Sequence, residues 1–181
     1  MTDNAPEQPI PVEQAFRFCP GCGAANQQVG KIPFYCGECG FAHYFGPVAA
    51  VGAMVVNEKN ELLLVRRARN PGKGKWGLPG GFVDRNETIE DALKREVMEE
   101  TKLVVTSMRL MMTKPNHYDY KGVVSPVIDL FYQCDVESIN VIELALDELN
   151  HHIWVRPTSE HLENMAFVSN RIAIEHWLTL G

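Results

Sequence analysis

GFVDRNETIEDALKREVMEETKL, residues 81–103, carries the most informative pattern in this 181-residue chain. It predicts a helix over 87–101. Thr88 is placed to cap that helix, with Asp91 three residues later, and Glu90 and Asp91 fall in the first turn, where the helix dipole favours negative charge. At about 100° per residue, Ile89, Ala92, Leu93, Glu96, Glu99 and Glu100 share an arc of roughly 120°. Lys94, Met98 and Thr101 take the opposite side. Carboxylates therefore occupy one end of the apolar stripe. If they lie about 6 Å apart at an effective dielectric near ~20, each pair repels by roughly 2 to 3 kcal/mol. The total rivals a domain's stability of about 5 to 15 kcal/mol. Splayed side chains, protonation or the neighbouring Arg95 would relieve part of that repulsion, whereas a divalent cation relieves it directly, and carboxylate oxygens with no softer donor nearby suit magnesium or manganese.

Gly81, five residues, Glu87, seven residues and then Arg95-Glu96-Val97-Met98-Glu99-Glu100-Thr101-Lys102-Leu103 closely resembles the Nudix box, G-x5-E-x7-R-E-U-x-E-E-x-G-U with U a bulky aliphatic residue. Lys102 is the departure. The family usually has Gly there, ending the helix in a left-handed conformation, and a Lys costs on the order of 1 kcal/mol. Asn86, where related boxes often carry Gly, tolerates a positive φ. The resemblance implies an α/β fold of Nudix type, an α/β/α sandwich with a mixed sheet, over residues 47–181. It implies metal-dependent hydrolysis of the diphosphate bond in a nucleoside diphosphate derivative (ADP-ribose, FAD, NADH or a related dinucleotide), releasing a nucleoside monophosphate. By position, Glu96, Glu99 and Glu100 become ligands of Mg2+ or Mn2+, and the carbonyl of Gly80 or Gly81 an additional one. Arg95 with Glu87 becomes a pair that orients the glutamates; the plainer reading of Arg95 is an i, i+4 pair with Glu99. Family members differ over the general base, and Glu96, Glu148 and Asp147 are the candidates, the last two reading equally well as a solvated turn. A homodimer is expected by analogy.

On the N-terminal side of this segment, apolar β-branched runs at 48–57 and 61–67 read as a hairpin through Glu58-Lys59-Asn60. A Leu-Pro-Gly-Gly turn lies within 76–83. Further strands are expected at 103–112, 124–134 and 153–156, and a last helix at 170–180. Arg66, Arg67, Arg69, Lys73 and Lys75 form a basic stretch without acids. Arg67 and Lys75 are expected to contact substrate phosphate, the alternative being a solvated loop. Tyr118 and Tyr120 are read either as stacking on a base or as core. Cys134, in an apolar run, reads as a buried hydrophobe. His151 and His152 face opposite sides of a strand and cannot share a metal.

Cys19-Pro-Gly-Cys22 and Cys36-Gly-Glu-Cys39, thirteen residues apart, have the spacing of a tetrahedral structural zinc, with redox-active dithiols as the alternative. A piece as short as 16–46 cannot bury enough apolar surface to fold without the metal. Arg17 and Lys31 are its cations, which argues against binding nucleic acid. His43 reads as a packing residue rather than a further ligand. A zinc ribbon before a Nudix domain is similar to the arrangement in the NADH pyrophosphatase-like group. The array S-Q-P-W-P-F-P-x-S of NADH pyrophosphatases is absent, however, and Thr113-Lys114-Pro115-Asn116-His117-Tyr118 stands in the comparable region. This weakens NADH while leaving ADP-ribose, FAD or another dinucleotide open.

Composition bounds the rest. Apolar residues at 45% and charged residues at 22% suit a globular protein, and no stretch approaches the ~20 apolar residues of a membrane span. A net charge of -6 provides no global attraction to nucleic acid or anionic membrane. Residues 1–15, with prolines and acids but no apolar segment, are expected as a disordered tail, which points to a cytoplasmic address. Five cysteines without an export signal do not suggest disulfides. The rival to an enzyme is a Nudix scaffold that senses nucleotides or binds nucleic acid without catalysis. An isomerase would need Cys and Glu partners that the sequence does not offer.

Overall fold

The computed structural model describes residues 8–180. Its elements run β1 (Ile10–Pro11), α1 (Val12–Ala15), β2 (Phe34–Tyr35), β3 (Ala42–His43), β4 (Val48–Val55), β5 (Leu62–Arg67), β6 (Trp76–Gly77), α2 (Ile89–Thr101), β7 (Val105–Tyr120), β8 (Val123–Val136), β9 (Leu149–Val155), α3 (Ser159–Glu163) and α4 (Val168–Leu180). The described residues group into two compact units, one running up to Val48 and taking in His117–Val127, the other made of Ala49–Asn116 and the chain from Ile128.

In the first unit β2 and β3 pair antiparallel, Phe34 opposite His43. Phe34, Cys19 and Cys36 are buried with Phe16, Phe41 and Phe45 around them. His43 stacks on Phe16 at 5.1 Å, so it packs as expected. The expected disordered tail needs correction where it is described. Ile10 and Pro11 pair in parallel with Val123 and Val124, and Val12–Ala15 forms a helical turn. Residues 1–7 of that tail lie outside the described residues. Residues 117–127, expected within the domain that begins at 47, belong to this first unit. The strands flanking them are longer than the sequence suggests, because β7 runs on through Pro115 to Tyr120. Proline lacks an N–H but is tolerated where a strand pairs on one side, and among the described residues β7 pairs with β8.

In the second unit, alternate residues of β4, β5 and β8 face two separate cores. Ala53, Val55, Leu63, Val65, Tyr132 and Cys134 pack with Ala92, Leu93 and Val97 of α2. Met54, Leu62, Leu64 and Phe131 pack with Ala173, Ile174 and Trp177 of α4. The result is helix, strands, helix: the α/β/α sandwich. β4 and β5 touch at a bridge between Val56 and Leu62 but then part, β4 joining β8 and β5 lying between β6 and β9. No helix among the described residues is long and apolar enough to cross a membrane.

Helix α2 starts where Thr88 accepts the Asp91 N–H at 3.1 Å. It ends at Lys102, whose φ of 61° is left-handed and whose N–H reaches the Met98 carbonyl at 3.0 Å. Lys102 thus adopts the glycine conformation, as Asn86 does at φ 65°. Thr101 is a correction. It is fully buried rather than outward-facing, because its hydroxyl donates to the Val97 carbonyl at 2.6 Å and accepts from the Leu103 N–H, so no polar atom is stranded.

Candidate active site

The Leu-Pro-Gly-Gly turn lies along β4, with the N–H groups of Val51 and Ala53 donating to the carbonyls of Gly81 and Pro79 at 2.8 Å. A side chain at Gly80, φ 146°, would place its Cβ 2.1 Å from the Val51 carbonyl oxygen. This close approach aims the Gly80 N–H at Glu100, whose Oε2 accepts it at 2.9 Å. At Gly81 a Cβ would sit 2.5 Å from Glu96 Oε1, so the bare backbone there makes room for a carboxylate. The Gly81 carbonyl, expected as a metal ligand, spends one lone pair on Val51 and keeps the other.

Arg95 gathers the acids. Its Nε and Nη2 form a fork on Glu87 at 2.8 and 2.9 Å, and Nη1 reaches Glu96 at 2.8 Å and Glu99 at 3.2 Å. Nη2 also donates to the Phe82 carbonyl. The contacts of Arg95 with Glu87 and, at i, i+4, with Glu99 therefore coexist. Hydrogen bonds from Arg95 and from the Asp84 N–H hold the Glu87 carboxyl down at about 2.

The three glutamates differ sharply in surroundings. Glu100 is buried and Glu96 nearly so, whereas the Glu99 side chain is 60% exposed, at the rim of the stripe rather than on it. Burial, with the charges of Glu96 and Glu148, pushes the Glu100 carboxyl up to about 8 against the pull of the Gly80 N–H and of Arg67. Burial also raises Glu96, opposed by Arg95 and helped by Glu99 and Glu148. Such a set fits a hard divalent cation: every donor is a carboxylate or carbonyl oxygen, and a cation would offset the desolvation that raises Glu96 and Glu100.

Glu148, in the turn before β9, pairs with Arg69 at 2.6 Å, a contact the sequence pattern gave no reason to expect. Arg67 donates through Nε to the Pro71 carbonyl at 2.6 Å, and its guanidinium lies over Phe167. Lys75 is exposed, and its carbonyl accepts the Arg67 N–H. Asp147 is exposed. Tyr118 falls in the first unit, whereas the box glutamates fall in the second.

The four ribbon cysteines form the other ligand set. Their sulfurs lie within 4.8 Å of one another, with Cys19 to Cys39 and Cys22 to Cys36 both 3.6 Å. Tetrahedral Zn–S bonds of about 2.3 Å place sulfurs ~3.8 Å apart, so the donor set fits zinc. Backbone N–H groups of Cys39 and Glu38 lower the Cys36 thiol to about 7, while Cys22 and Cys39, pulled down by the Ala24 and Phe41 backbone N–H groups, are raised on balance by burial and the sulfurs beside them. Cys134 is buried and its thiol is pushed up to about 12 by burial, as an inert core thiol should be.

A family model described as NUDIX domain matches residues 46–175. The chain is 34% identical over 103 residues to the NAD-capped RNA hydrolase NudC of Vibrio parahaemolyticus, a match covering 56% of this chain and 39% of that protein. It is 39% identical over 87 residues to the ADP-ribose pyrophosphatase of Methanocaldococcus jannaschii, covering 47% of this chain and 50% of that one. The matches thus span half or less of these relatives. Among solved structures, a NUDIX hydrolase from Nitrosomonas europaea aligns with a TM-score of 0.62 over 90% of each chain at 21% identity, a likeness of fold. The NUDIX domain of Shewanella oneidensis NrtR, solved with ADP ribose, aligns with a TM-score of 0.59 at 25% identity, covering 75% of this chain and 88% of that one.

Proposed function

The chain belongs to the NUDIX family, and on that premise we propose that it hydrolyses the diphosphate bond of a nucleoside diphosphate joined to a second group, with ADP-ribose or an NAD-type dinucleotide as the substrate class. The observation that carries this reading is the buried Glu100 beside Glu96 on one helix face, both raised by desolvation in a setting made only of oxygen donors. A solvated acidic surface has no such burial. The names of the two relatives above support the substrate class.

Glu96, Glu99 and Glu100 would hold Mg2+ or Mn2+, with the Gly81 carbonyl as an additional donor. Bound there, the ion supplies neutralisation of the diphosphate and acidification of water. Arg95, anchored by its fork on Glu87, fixes Glu96 and Glu99 in place. Glu148 is the general base. It comes from a separate turn, its side chain is 35% exposed, and its charge reaches both Glu96 and Glu100. It takes the proton of the water whose oxygen attacks phosphorus, and the P–O bond to the departing phosphate breaks. Arg67 and Lys75 contact the diphosphate from the basic stretch. In the ribbon, Cys19, Cys22, Cys36 and Cys39 hold a structural zinc.

The test is a screen of the purified full chain, with magnesium or manganese, against ADP-ribose, NADH, FAD, dinucleoside polyphosphates and NAD-capped RNA. Release of a nucleoside monophosphate that disappears in Glu99→Gln and Glu100→Gln supports the proposal. Binding without turnover by the intact chain would establish a sensor instead.

A further inference from the structure

Glu148 lies next to the last residue of a strap, residues 143–149, that is fastened at both ends. The N–H groups of Glu143 and Ala145 donate to the carbonyls of Thr101 and Glu100 at the end of α2, both at 3.1 Å. At the other end the Ala68 N–H donates to the Glu148 carbonyl at 2.7 Å, just past the bulge between Arg66 and Arg67 where β5 shifts register against β9. Bulges of this kind re-aim side chains. Within the strap, the Glu148 and Leu149 N–H groups both close on the Ala145 carbonyl, at 2.9 and 2.8 Å. The backbone of Glu148 is therefore fixed, but its carboxylate sits at the end of three rotatable bonds. What restrains it is the 2.6 Å contact of Arg69 Nη2 with Oε2.

We infer that Arg69 is a positioning residue for Glu148: by holding Oε2 it keeps the carboxylate turned toward the glutamates of α2, with Oε1 left to accept a proton. The inference rests on the reading of Glu148 as the base. It separates Arg69 from Arg67 and Lys75, which act on substrate phosphate. The Arg69 side chain is 57% exposed and contributes little to the fold, so its loss leaves the protein intact. A base displaced by about 1 Å loses up to ~100-fold in rate while leaving substrate affinity alone.

The experiment compares Arg69→Gln, Arg69→Lys, Glu148→Gln and the Arg69→Gln/Glu148→Gln double variant in the full chain, with the best substrate of the screen. Arg69→Gln lowers kcat roughly 10- to 100-fold with KM within about twofold. Arg69→Lys recovers part of the loss, and the double variant is no slower than Glu148→Gln alone. A raised KM with unchanged kcat would show that Arg69 grips substrate, and losses that multiply in the double variant would show that it does not act through Glu148. Either result overturns the inference while leaving the hydrolase reading standing. An arm without substrate keeps the two apart: the guanidinium 15N resonances of Arg69 shift on Glu148→Gln. Resonances that stay put mean the pair does not persist in solution, and the inference fails whatever the activity.

Discussion

Glu100 makes the acid burial of this site measurable without any substrate. Its carboxyl is raised from an ordinary 4.5 to about 8, burial being the main cause. Below pH 4.5 it is protonated in both folded and unfolded chains and costs nothing. As pH rises toward 8 the unfolded chain ionises while the folded one retains its proton, so stability falls, and above 8 the full cost is felt. The 3.5 pH units between the two values, at 1.36 kcal/mol each, amount to on the order of 5 kcal/mol, with a slope of up to about 1.4 kcal/mol per pH unit. Glu100→Gln removes the ionisation while its amide oxygen still accepts the Gly80 N–H. Urea unfolding of the wild type and this variant is compared from pH 5 to pH 8.5 in buffer free of magnesium and manganese, with the zinc left in place. The difference between the chains cancels the titrating groups that Glu100 does not influence, leaving Glu100 and the carboxylates coupled to it, Glu96 and Glu148. It should grow by several kcal/mol in favour of the Gln variant across that range, and magnesium should then stabilise the wild type alone. A gap of equal size at pH 5 and pH 8 would rule out a buried, titrating Glu100, since an ionising carboxylate cannot produce it.

Other expectations concern the backbone and the ribbon. Gly80→Ala, whose Cβ meets the Val51 carbonyl oxygen at 2.1 Å, costs about 3 kcal/mol or more in urea unfolding. Gly81→Ala meets only the movable end of Glu96, so it folds with little loss but hydrolyses at least about tenfold more slowly, as initial rates would show. Lys102→Gly relieves a left-handed Lys and raises stability by roughly 1 kcal/mol in the same unfolding assay. Cys36→Ser should lower the zinc content, measured by elemental analysis, from one per chain toward zero and make the ribbon a preferred site of proteolysis.

The box was legible because its chemistry is local. Thr88, Glu87, Arg95 and the glutamates lie on or beside one helix, where a fixed rise per residue decides which side chains meet, and the spacing of Cys19, Cys22, Cys36 and Cys39 constrains the knuckles in the same way. Helical geometry could not place Glu99 at the rim and Glu100 in the interior, for that difference is set by the turn containing Gly80 folding against β4. Nor could it bury Thr101, whose hydroxyl is satisfied by its own helix. The pairing of Ile10 with Val123 and of Arg69 with Glu148 joins residues far apart in sequence, and nothing in their local pattern announces either. The expected strand stops at 112, short of Pro115, yet β7 continues through that proline to Tyr120, as a strand paired on one side tolerates. The separation of β4 from β5 after Val56 likewise depends on which partners β8 and β9 offer.

Diffraction from crystals of the full chain grown with Mn2+, measured at the manganese absorption edge, puts the metal-binding claim to its most direct test. One or more manganese peaks should lie among the carboxylates of Glu96, Glu99 and Glu100, apart from the zinc peak at the four cysteines. Density showing those three side chains splayed into solvent, with no manganese between them at saturating ion, would contradict the account.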